Sequence, residues 1–165
     1  MASAITLLAS LVAASAAETN AAFSYLAYRF ASEEGWRVRA SGNAGSTKLE
    51  GRVLQFDFTQ GASAIGLGLP DRVLLGRPEK IRLCVRGSVK GHPVRVQLRT
   101  HFMTFEKVVG EFSGEDDQEL VFDTPPGHDW KWFGGEIDCK IHGPLRLCEI
   151  RFEVGAVKDA GRLEL

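Results

Sequence analysis

From Gly51 onward the chain is a succession of short segments in which apolar and polar residues alternate, the period of a strand with one buried face. Leu54, Phe56 and Phe58 oppose Val53, Gln55 and Asp57. Ile81, Leu83 and Val85 oppose Arg82, Cys84 and Arg86, and Val94, Val96 and Leu98 oppose Arg95, Gln97 and Arg99. Further extended segments are predicted at Ile65 to Leu69, Phe105 to Phe112, Glu119 to Asp123, Pro144 to Val154 (with Cys148, Ile150 and Phe152 inward) and Gly161 to Leu165. Gly, Pro, Asp or His clusters separate them. About eight short strands with turn signals between them predict an all-β sandwich or barrel, mostly antiparallel. The stretch Arg86 to His92 reads as a hairpin connection. Only Glu18 to Arg39 has a helix-compatible composition, and it gives way to the turn formers of Ser41 to Ser46. No long amphipathic helix alternates with the strands, which argues against a parallel α/β fold.

A length of 165 residues suits one domain with a real core. The formal net charge of −1 leaves no electrostatic footprint for a nucleic acid or an anionic membrane, so neither is expected as a partner. Residues 1–17 carry no charged side chain, and the apolar run from Ile5 to Ala14 ends in small residues, like a signal peptide with its cleavage site. The basic start of such a leader is missing, and an N-terminal helix is the alternative. The segment is too short to span a bilayer. Residues 1–17 are therefore read as a leader, residues 18–165 as a single domain, and the location as secreted or periplasmic. Arg162-Leu163-Glu164-Leu165 alternates like a strand and stops without a polar tail, as a module of a larger multidomain protein would. Three cysteines allow at most one disulfide, and their spacing is not that of a zinc site.

The stretch from His128 to Asp138 has the composition of a recognition loop. It holds two of the three tryptophans, Trp130 and Trp132, with Phe133, Gly134 and Gly135 and the ionisable His128, Asp129, Lys131, Glu136 and Asp138. Flat indole faces stack on sugar rings, and neighbouring polar groups fix orientation. The competing reading makes one or both tryptophans caps of the β-core. Trp130 and Trp132 should share one side of an extended segment. Arg99 and His101, at a strand end, are the other candidate ligand contacts. The outward row Arg82, Arg86, Arg95, Gln97 and Arg99 would line up if its strands were neighbours, or else pair with Asp57, Glu149 and Glu153 as a solvated face. His92, in its turn, is expected to be exposed.

The order of these features resembles the galactose-binding-like jelly-roll modules of secreted glycoside hydrolases and polysaccharide lyases, including many carbohydrate-binding modules. The resemblance runs from a Gly-His turn through Val94 to Arg99, the loop Trp132-Phe133-Gly134-Gly135-Glu136-Ile137-Asp138, and Pro144-Leu145-Arg146-Leu147 with its alternating strand. It covers Phe30 to Leu165, with Phe133 standing where the family pattern passes directly from Trp to Gly. It implies a jelly-roll β-sandwich that binds carbohydrate without catalysis, attached to a catalytic domain of the same polypeptide. A structural calcium ion is also implied, with Glu33, Asp159 and Glu164 as its candidate ligands, since oxygen donors suit that ion. The alternatives are an assembly domain packed on a catalytic partner, or a lyase or hydrolase built on Arg99, His128 and His142. No serine-hydrolase, zinc-protease, P-loop or dinucleotide motif is present.

Overall fold

The computed structural model describes residues 10–13, 23–26, 35–42, 47–87, 90–114, 117–125, 129–135 and 141–164. Its strands are β1 (Ser10–Ala13), β2 (Phe23–Leu26), β3 (Arg37–Gly42), β4 (Lys48–Glu50), β5 (Val53–Asp57), β6 (Ala62–Val73), β7 (Lys80–Gly87), β8 (Lys90–Arg99), β9 (Met103–Ser113), β10 (Gln118–Asp123), β11 (Lys131–Gly134), β12 (Arg146–Glu153) and β13 (Ala160–Glu164). They form two open antiparallel sheets. One has six strands in the order β11-β9-β8-β12-β6-β3; the other has the order β2-β1-β7-β13-β5-β4, with β10 also paired to β7. The fold is an all-β sandwich, as the alternation predicts.

The alternating sets meet between the sheets. Leu54, Phe56 and Phe58, Ile81, Leu83 and Val85, and Val94, Val96 and Leu98 are all buried in one core with Phe105, Phe112, Leu120, Phe122, Ile150, Phe152 and Leu163. One member of the predicted inward sets departs. A β-bulge between Leu147 and Glu149 resets the register of β12, so Leu147 rather than Cys148 faces inward with Ile150 and Phe152. Cys148 is half-buried.

Two other expectations about the elements are corrected. The helix-compatible region contributes β2 and the start of β3, because Arg37 to Ala40 pair with Ile65 to Gly68 and Trp36 enters the core. Tertiary pairing overrides composition here. The short link after Gly87 is not a hairpin. Strand β7 pairs with β10, β13 and β1, while β8 pairs with β9 and β12, so the link crosses from one sheet to the other. Within the leader-like segment, Ser10–Ala13 forms β1, with Leu11 opposite Ile81.

His92, expected to be exposed, is fully buried. Its ring stacks on Phe58 at 4.7 Å. Nδ1 accepts from the Gly155 N–H at 3.0 Å, which leaves Nε2 to donate to Asp159 Oδ1 at 2.7 Å. This knot closes the end of the sandwich where β8 begins. The opposite end, where β8 finishes at Arg99, carries the candidate residues.

Candidate functional site

Strand β10 ends at Asp123, and the chain is then tied down by Thr124, whose N–H donates to Glu79 O at 2.9 Å and whose hydroxyl donates to Pro78 O. Trp130 follows and turns inward. It is 6% exposed, 6.4 Å from the Phe122 ring, with Lys107 Nζ 5.9 Å from its centroid. Its indole N–H donates to Asp123 O at 3.1 Å, so the one polar atom of the ring is satisfied. Trp130 thus fills the space between β10 of one sheet and β9 of the other. The core-capping reading holds for this residue.

Two residues later the chain has become β11, the outermost strand of its sheet, paired along β9 from Lys131 opposite Glu106 to Gly134 opposite Met103. Trp132 is 61% exposed and Phe133 56%. The two tryptophans therefore do not form a joint exposed face. Trp132 sits at the sheet margin, whereas Trp130 lies where both sheets cover it. Lys131 is exposed, and so is Asp129, whose carboxylate stands 3.5 Å from Lys107 Nζ. His128, Glu136 and Asp138 lie outside the described residues.

Glycine ends β11 for a steric reason. Gly134 has φ +76°, and a Cβ there would come within 2.5 Å of Phe102 O. Gly135 donates its N–H to that same carbonyl at 3.1 Å. This fastens β11 to the β8–β9 turn. Thr100 shapes the turn itself, donating N–H to Met103 O at 2.8 Å and accepting the Met103 N–H at 3.1 Å on its hydroxyl. His101 and Phe102 are thereby held out in solvent, edge to face at 4.1 Å.

Beside this turn Arg99, Thr100, His101 and Arg146 line a recess of about 190 Å³. Arg99 and Arg146 are directly opposite one another on β8 and β12. Through Thr100 the recess adjoins a second pocket of about 150 Å³, lined by Gly76, Arg77, Thr124, Pro125, Ile141, Gly143 and Leu145. The expected pair Arg99 and His101 is thus brought together. Arg146, Thr100 and Phe102 join the site without having been singled out as candidate contacts. Arg146 stood in the Pro-Leu-Arg-Leu motif, where its alternation with Leu145 and Leu147 was the available signal.

The rest of the arginine row is divided between the two sheets. Arg82 and Arg86 belong to β7 and pair with Glu119 and Asp117, each at 2.8 Å. Arg95 lies on β8 between Glu153, at 2.6 Å from Nε, and Glu106. The hydrogen bonds that the guanidinium donates to Glu153 raise its pKa above the ordinary value against the opposing effect of burial. Asp159 immediately precedes β13 and Glu164 ends it, about 16 Å of extended chain apart, and Asp159 Oδ1 is held by His92. These two carboxylates do not converge on one ion. Glu33 lies outside the described residues. Comparison with protein-family models, curated proteins and solved structures returns no match for this chain.

Proposed function

We propose that this domain is a noncatalytic carbohydrate-binding module of an exported polysaccharide-acting protein. The supporting observation is the open ring of Trp132 at the sheet margin, beside Lys131 and close to the fixed turn that presents His101 and Phe102. An exposed indole on a hydrogen-bonded strand is a rigid apolar platform, and stacking a sugar on it requires no rearrangement of the core. The resemblance to galactose-binding-like jelly-roll modules points the same way. Exposure of Trp132, Phe133 and Phe102 also favours a second reading, in which these rings pack against a catalytic domain of the same polypeptide.

Tryptophan emission separates the two. Trp36 and Trp130 are buried, so a ligand-induced change in emission, or in quenching by iodide, reports Trp132. Titration with oligosaccharides should give saturable changes with Kd on the order of millimolar to micromolar, about 4–8 kcal/mol, with polymer left intact. Trp132→Ala should abolish them. Emission indifferent to every glycan would leave the packing role in its place.

A further inference from the structure

We infer that this module takes an uncharged glycan chain several sugars long, and that the chain lies in a groove across the Arg99 end of the sandwich. The inference rests on the carbohydrate-binding reading and specifies its ligand class.

Three hollows join at this end. The recess at Arg99 and His101 meets the pocket at Leu145 through Thr100, and that pocket meets a third hollow of about 460 Å³ through Arg77, Thr124 and Pro125. Shared lining residues make them one track. Its floor is fixed because the connections around it are tied down. Leu74, after β6, donates its N–H to Leu145 O at 2.8 Å; Thr124, after β10, donates to Glu79 O and Pro78 O; and Thr100 closes the β8–β9 turn on Met103 O. Pro78, Thr100, Thr124, Pro125 and Leu145 are buried, whereas Arg77, Glu79, Asp123 and Arg99 are exposed.

The exposed lining carries both signs. Glu79 and Asp123 belong to the third hollow, Arg77 stands where it meets the second, and Arg99 lies in the recess. An anionic chain would meet like charge at Glu79 and Asp123, and a cationic chain at Arg77 and Arg99, so a charged polymer is opposed somewhere along the track. Hydroxyl groups escape this conflict. Each both donates and accepts, so one sugar chain can donate to the carboxylates and accept from the guanidiniums. The prolines and Leu145 give the C–H faces of its rings an apolar floor. At the Arg99 end the recess lies against the turn that Gly135 fastens to the strand bearing Trp132, which puts the indole on the same path.

The test titrates the whole chain with neutral gluco-, galacto-, manno- and xylo-disaccharides and hexasaccharides, and with hexagalacturonate. In the series that binds, the hexasaccharide should bind at least about tenfold more tightly than the disaccharide, and more tightly than hexagalacturonate at low salt. Glu79→Gln and Asp123→Asn should each weaken the hexasaccharide at least about threefold more than the disaccharide, with the thermal midpoint close to that of the parent. Affinity that does not grow with chain length, or a length advantage untouched by both substitutions together, overturns the groove while the carbohydrate reading stands. Tighter binding of hexagalacturonate overturns the uncharged ligand. Absence of binding by every sugar overturns the carbohydrate reading, and the groove with it.

Discussion

The two ends of this sandwich handle polar side chains in opposite ways. Where β8 begins, His92 is fully buried and its ring nitrogens are occupied by Asp159 and Gly155, with Phe58 stacked against it. Where β8 finishes, Arg99, His101, Phe102, Trp132 and Phe133 face solvent around a recess. The same classes of residue thus serve cohesion at one end and an open surface at the other. Composition does not distinguish the two uses. Among the described residues, what distinguishes His92 from Trp132 is whether a second segment of chain covers the ring.

The comparison can be broken by substitution. Trp130→Ala should cost the most, roughly 3–5 kcal/mol in chemical denaturation, since it empties the space between β10 and β9. A loss below about 1 kcal/mol would mean that the edge of the sandwich does not depend on this ring. His92→Leu should follow at roughly 2–3 kcal/mol, because the Gly155 N–H loses its buried acceptor. At the open end, Trp132→Ala should alter stability by no more than about 0.5 kcal/mol. Equal losses for His92→Leu and Trp132→Ala would erase the distinction between the ends.

The smallest effect concerns acid. Hydrogen bonding and charge attraction from Arg86 hold the exposed Asp117 carboxyl below its ordinary value of 3.8. A carboxyl depressed in the folded state stabilises above its unfolded pKa, and that contribution is lost as pH falls through the folded value. Carbon-detected titration should place the Asp117 midpoint below 3.8, and Arg86→Gln should return it upward. An unchanged midpoint would show that this ion pair is too solvated to matter.

Strand periodicity made the central fold legible. Segments corresponding to β5, β7, β8, β9, β10, β12 and β13 were readable because each contributes alternating side chains to one core. The margins were not. β4 has three residues and β11 four, too few for alternation to stand out, and β11 has none of its side chains buried. The bulge at Cys148 and the crossing between sheets after Gly87 depend on which strands become neighbours, and no local pattern records that.

The site was legible in part for the same reason. The aromatic loop and the Arg99–His101 strand end were visible as composition, but the unequal fates of Trp130 and Trp132 follow from where the second sheet's coverage stops. His92 was misread because Asp159, its partner, is distant in the chain. Arg146 became significant only through the register that sets it opposite Arg99.

Under the proposed carbohydrate-binding reading, the hydrogen bond from Gly135 to Phe102 O has a consequence for any ligand long enough to touch both Trp132 and Phe102. It makes the two contact points parts of one stiff body. Once either is engaged, the other is met as an intramolecular event, at an effective concentration fixed by the span between them. A tie between two stretches of backbone thereby sets the length of ligand segment that gains from both contacts. Shorter fragments would have to use one contact at a time, and would be released correspondingly faster.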